Sequence, residues 1–153
     1  MSEAPARAAL RGRDSYRAWH DVTTRWADND AYGHANNVVY YEWFDTAVNA
    51  WLIENGLLDL VAGDPIGLVV ETGCRFAGPL AFPQPVEVGL AVERVGNTSV
   101  RYILGIFAKN EPEASAEGHF IHVYVDRTAR RPVPLPDEWR RKLEILVPPS
   151  SRT

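Results

Sequence analysis

The chain is 153 residues long, 46% hydrophobic and 24% charged, with a formal net charge of −4. That length and composition fit one globular domain with a core of its own. The negative balance gives a nucleic-acid role no electrostatic footing, no apolar run reaches the roughly 18 charge-free residues of a membrane span, and the single cysteine, Cys74, excludes an internal disulfide and fits a cytoplasmic protein.

Residues 1–16 are rich in Ala and Arg and lack the apolar stretch of a secretory signal, so they are expected to form a flexible tail ahead of a single domain over 17–147. Trp19 to Trp26 is expected to be a first strand, with His20, Val22, Thr24 and Trp26 on one face. A polar loop, Asp28 to Asn37, follows. Val38 to Ile53 then reads VVYYEWFDTAVNAWLI. Its polar residues Glu42, Asp45, Thr46 and Asn49 fall at helical spacing in one narrow stripe, so this helix is covered by protein on most sides. Asn36 or Asn37 supplies an N-cap and Asn55-Gly56 a stop, giving a rod of about 27 Å.

Leu57 to Pro65 connects the helix to a region whose period falls from 3.6 to 2. Leu68, Val70, Thr72, Cys74 and Phe76 alternate with Val69, Glu71, Gly73 and Arg75. Val86, Val88, Leu90 and Val92 alternate with Glu87, Gly89, Ala91 and Glu93. Val100, Tyr102, Leu104 and Ile106 alternate with Arg101, Ile103, Gly105 and Phe107. Phe120 to Val125 is apolar on both faces. Gly78-Pro79 with Pro83 and Pro85, then Gly96-Asn97, then Asn110 to Pro112 mark the turns. Asp137 to Leu146, after Pro136, is expected to be an amphipathic helix, and residues 148–153 a polar tail. Successive strands with short turns imply an α+β fold with a mostly antiparallel sheet. A curved sheet of about five strands wrapped around the long helix buries both apolar surfaces.

The loop before the long helix carries the chemistry. It reads Asp28-Asn29-Asp30-Ala31-Tyr32-Gly33-His34-Ala35-Asn36-Asn37. A helix N-terminus offers free N–H groups and a positive dipole end. A carboxylate held beside such donors can attack a carbonyl, or activate water to do so, while the donors take up the developing negative charge. Other chemistries find less support. His20, His119 and His122 show no metal-ligand spacing, Cys74 reads as a small buried hydrophobe, and there is no Gly-x-Ser-x-Gly elbow.

From Arg25 to Asp45 (RWADNDAYGHANNVVYYEWFD), again over Val69 to Phe107 and over Phe120 to Arg140, the chain resembles the hot-dog fold acyl-CoA thioesterases of the 4-hydroxybenzoyl-CoA thioesterase-like family. The resemblance implies a sheet curled around a central helix, assembled as a homodimer or a dimer of dimers, with an acyl-CoA substrate, no cofactor and no metal. It puts the active-site carboxylate on Asp30 and the carbonyl-polarising amide at the backbone N–H of Asn37. Tyr32, Gly33, His34 and Asn36 then shape the pocket, and Arg94, Thr98 and Ser99, with Asn97, Arg127 and Arg130, are candidates for the CoA arm. Glu42 is the second choice of catalytic acid. A non-catalytic acyl-thioester binding protein and a hot-dog hydratase or dehydratase are the alternatives on the same fold.

Overall fold

A computed structural model describes residues 9–149. The elements are β1 (Ala18–Val22), α1 (Asn37–Glu54), β2 (Ile66–Phe76), β3 (Val86–Val95), β4 (Ser99–Ala108), β5 (Ala116–Val125) and α2 (Asp137–Glu144). The strands form one antiparallel sheet in the order β1-β3-β4-β5-β2. This is the α+β arrangement expected above, a five-stranded sheet around one long helix with a short helix after it.

The core lies between α1 and one face of the sheet. Val39, Tyr40, Trp43, Phe44, Ala47, Val48 and Leu52 of α1 are buried against Val86, Val88, Leu90 and Val92 of β3 and Val100, Tyr102, Leu104 and Ile106 of β4. These are the alternate positions that the period-two pattern groups together. The opposite face of α1, with Val38, Glu42, Asp45, Thr46 and Ile53, is exposed, so the stripe is an uncovered edge. α1 begins at the N-cap Asn36, whose Oδ1 accepts the Val38 N–H at 3.1 Å, and it ends at Asn55, where the following Gly56 takes φ 76°.

The structure corrects four local expectations. The first strand stops at Val22, opposite Val86 at the start of β3; Pro85 just before Val86 has no N–H to extend a ladder. Thr24 instead donates its hydroxyl to the Gln84 carbonyl at 2.8 Å, and Trp26–Asp28 forms a turn of 3-10 helix. β5 begins at Ala116, four residues before the apolar run. α2 ends at Glu144.

In β2 the face assignment changes partway. Val69 opposes His122 and Glu71 opposes Ile121, so Val70 is an unpaired extra residue. Such a bulge flips the alternation. Gly67 and Val69 therefore share the inner face with Thr72, Cys74 and Phe76, while Leu68 turns outward.

The outer face of the sheet has its own cover. Tyr16 packs with Ala91, Ile103 and Phe107. Gly89 and Gly105 form a saddle for it, since a Cβ on either would lie 2.6 Å from Tyr16. The Arg13 guanidinium sits 4.8 Å from the Trp19 ring and 4.7 Å from that of Phe107 and pairs with Glu87, while Arg11 pairs with Glu117. The last residues of the segment read as a tail are thus anchored to the sheet. Residues 1–8 and 150–153, which hold the rest of both expected tails, lie outside the described residues.

Candidate active site

The loop before α1 is pinned at its base by a buried carboxylate. Asp28 is only 1% exposed. Its Oδ1 accepts from Arg25 Nε and Nη2 at 3.0 and 2.8 Å, and its Oδ2 accepts the Arg25 backbone N–H at 2.7 Å. A buried carboxylate needs such charge-assisted partners. The Asp28 carbonyl accepts the Asn36 N–H at 2.8 Å, and Ala35 donates its N–H to the Leu80 carbonyl at 2.6 Å. Asn29 Oδ1 accepts the Phe82 N–H at 3.0 Å. Residues on both sides of the loop are thus tied to each other and to the segment between β2 and β3.

Between these ties the chain makes a tight turn. Asp30 donates its N–H to the His34 carbonyl at 2.7 Å, and Gly33 donates to the Asp30 carbonyl at 3.1 Å. Gly33 has φ 83°, a left-handed conformation that glycine adopts freely. The Asp30 side chain folds back over the turn, and its Oδ1 accepts the Tyr32 N–H at 2.8 Å. Its Oδ2 has no hydrogen-bond partner among the described residues. One carboxylate oxygen is thus fixed by backbone while the other is free to act. Asn37 opens α1, so its N–H belongs to the first turn, which has no acceptors within the helix.

Sequence reasoning placed Asp30, Tyr32, Gly33, His34, Asn36 and Asn37 together, and the structure holds them in one turn. Asn36 is the side-chain cap, so the Asn37 side chain is not needed for capping and its backbone N–H lies in the first turn. Tyr32, His34 and Asn37 are exposed. Glu42 is in the second turn of the helix beside Arg25, with 3.9 Å between Glu42 Oε2 and Arg25 Nη2. The reading missed Trp26 and Phe82 as neighbours of this turn. Their rings meet edge to face at 6.2 Å, and Trp26 is 76% exposed, a large apolar area beside the loop. The Arg25–Asp28 lock was also missed, although an Arg three residues before an Asp is its sequence signal.

Arg94, Thr98 and Ser99 are elsewhere. They belong to the β3–β4 hairpin, whose tip packs near α2: Arg140 Nη2 donates to the Gly96 carbonyl at 3.0 Å and Leu135 donates its N–H to the Asn97 carbonyl at 3.0 Å. α2 in turn reaches the far end of α1, where Lys142 Nζ donates to the Asn55 carbonyl at 2.8 Å. Arg127 is also at this end and donates to the Gly63 carbonyl at 3.0 Å. The length of α1 therefore separates these residues from Asp30 within one chain. Arg94 lines a groove of about 500 Å³ together with Arg141, Glu93 and Glu144.

A family model described as "Thioesterase-like superfamily" matches residues 24–143. The crystal structure of the PA5185 protein from Pseudomonas aeruginosa is 50% identical, with a TM-score of 0.87 over 90% of this chain and 96% of that one. The PA2801 protein from the same organism is 28% identical, with a TM-score of 0.77 over 83% of this chain and 98% of that one. Slr0204, a 1,4-dihydroxy-2-naphthoyl-CoA thioesterase from Synechocystis, shares the fold at 19% identity, with a TM-score of 0.73 over 82% of this chain and 93% of that one. No curated protein matches at a significant level.

Proposed function

The chain belongs to the thioesterase-like superfamily, and on that footing we propose that it hydrolyses an acyl-CoA thioester to the free acid and CoA. The observation that carries this reading is the Asp30 carboxylate, half-buried, with one oxygen held by the turn and the other free, just ahead of the α1 N-terminus. Asp30 either draws a proton from water or attacks the thioester carbonyl itself. The Asn37 N–H, at the positive end of α1, receives the developing oxyanion. A thioester is already activated toward attack, so this chemistry needs no cofactor. Among the described residues no helix is long and apolar enough to cross a membrane, and with the single free cysteine we place the protein in the cytoplasm.

The working unit is proposed to be a homodimer or a dimer of dimers. β2 is an edge strand of 11 residues with Val69 and Val70 exposed, an unprotected template for another strand. Antiparallel pairing of β2 with its copy about a two-fold axis sets the Phe76 end of one strand beside the Ile66 end of the other. Phe76 stacks on Tyr40 at 5.0 Å, and the segment after it binds Ala35, so the Phe76 end carries the Asp30 turn. The Ile66 end lies with the β3–β4 hairpin, because Tyr124, opposite Gly67, donates its N–H to the Thr98 carbonyl at 2.7 Å. The pairing therefore brings Asp30 of one subunit toward Arg94, Thr98 and Ser99 of the other, which one chain keeps apart.

The test is thiol release from short, long and aromatic acyl-CoAs, with wild type, Asp30→Asn and Glu42→Gln. Turnover by wild type and by Glu42→Gln, with loss of about 10²–10⁴ in rate for a folded Asp30→Asn, is the expected result. Full activity of Asp30→Asn would sink the assignment.

A further inference from the structure

At the end of the core away from Asp30, polar atoms are buried without protein partners. His122 is 3% exposed, and its Nδ1 accepts or donates no hydrogen bond among the described residues. Its ring is enclosed edge-on by Phe120 at 5.0 Å, Tyr102 at 5.7 Å and Tyr124 at 6.0 Å. The hydroxyls of Tyr102 and Tyr124 are buried close to each other and can pair, which leaves His122 Nδ1 as the group without a partner. Leaving such groups unpaired is costly, and folded proteins leave few of them.

The space beside Nδ1 is kept open by a missing side chain. Gly67 lies opposite Tyr124, and a Cβ there would come within 3.2 Å of His122 Nδ1. A cavity of about 30 Å³ opens at this point between Leu52 of α1, Ile66 and Gly67 of β2, and His122 and Tyr124 of β5. That is room for about one oxygen atom. Two further polar side chains on its wall are each held on one side: Asn49 Nδ2 donates to the Asp45 carbonyl at 2.8 Å, and Asp59 Oδ1 accepts the Val61 N–H at 2.9 Å.

We propose that this cavity is a specificity subsite that takes an uncharged oxygen, a hydroxyl or carbonyl, at the far end of the acyl group. The inference rests on the thioesterase reading and on the two-fold pairing of β2, which sets Asp30 of the partner subunit over this end of the core. An uncharged oxygen fits because the unpartnered buried group, His122 Nδ1, is neutral. A buried imidazole or phenol can donate to or accept from a hydroxyl. An ionised group would be desolvated there. The imidazole stays neutral at physiological pH, since burial pushes its pKa down to about 4. A water molecule has the same chemistry, and matched substrates separate the two occupants.

The experiment compares kcat/KM for ω-hydroxyhexanoyl-CoA against hexanoyl-CoA and for para-hydroxyphenylacetyl-CoA against phenylacetyl-CoA. It uses wild type, His122→Phe and Tyr124→Phe, with His122→Gln in reserve if the first variant does not fold. One matched hydrogen bond predicts a preference of about five- to tenfold for the hydroxylated member of at least one pair. His122→Phe should abolish that preference, whatever it does to the rate on the unsubstituted substrate. No preference in wild type, as when only water occupies the cavity, overturns the proposal, and so does a preference that survives in His122→Phe. If no acyl-CoA is hydrolysed, the thioesterase reading fails, and nitrogen NMR of the histidines decides the subsite alone. A His122 shift with para-hydroxyphenylacetate but not with phenylacetate supports it; an unmoved resonance overturns it.

Discussion

Asp30 and Gly33 show how much one turn asks of single residues. The free carboxylate oxygen of Asp30 makes it the candidate base or nucleophile, while Gly33 holds the turn through its positive φ. A Cβ on Gly33 would meet nothing within 4 Å, so the penalty of a side chain there is backbone strain, of order 1–2 kcal/mol. Gly33→Val is expected to move the Tyr32 and His34 amides and misplace Asp30. Asn37→Ala leaves the backbone amide in place. Steady-state kinetics on two well-folded variants should therefore show a much larger loss for Gly33→Val. The reverse order would mean that the Asn37 side chain, not its N–H, polarises the carbonyl.

α1 depends on its cap and its buried face more than on local propensity. Asn36 caps the helix and ties it to Asp28, so Asn36→Ala is expected to cost about 0.5–2 kcal/mol, read as a lowered urea midpoint at unchanged slope. Where α1 crosses the sheet, Phe44 lies directly on Gly118 of β5, with no room for a Cβ between them. Gly118→Ala should cost about 1–3 kcal/mol through overpacking. Full stability of that variant would show that α1 can shift off β5. These two sites separate the beginning of the helix from its middle.

The whole molecule carries a built-in sensitivity to acid at His122. The unfolded chain takes up that proton near pH 6.5, whereas the folded protein resists it until about pH 4. Below the unfolded value the unfolded state binds more protons, so stability falls as pH drops across this window. The shift corresponds to about 3 kcal/mol at most. Denaturant melts from pH 7 to 4.5 should show this decline, and His122→Phe should flatten it. An equal slope in the variant would assign the loss to other groups. At the scale of assembly, light scattering at micromolar concentration is expected to give at least a dimer. A charged pair on the β2 edge, Val69→Lys with Val70→Lys, should give monomers and lose activity, because Asp30 and the hairpin residues then no longer meet. An active monomer would contradict the two-fold site.

The sequence by itself determined the order and kind of nearly every element. Local signals did this: Asn36 and Gly56 bound the helix, and alternation in β3 and β4 sorts Val86, Val88, Val100 and Tyr102 inward wherever one face is buried. The Asp30 turn was legible for the same reason, since its residues are adjacent in the chain. Tertiary structure decided what adjacency cannot encode. Where β1 stops depends on Pro85, 63 residues after Val22. The bulge at Val70 depends on the register against β5, and it sends Leu68 outward and places Gly67 beside His122. Arg94, Thr98 and Ser99 lie at the opposite end of α1 from Asp30, a separation fixed by how the β3–β4 hairpin packs near α2. Charge, capping and periodicity act over a few residues and survive in the linear text, whereas register, cavity and distance between sites arise only when remote segments compete for the same space.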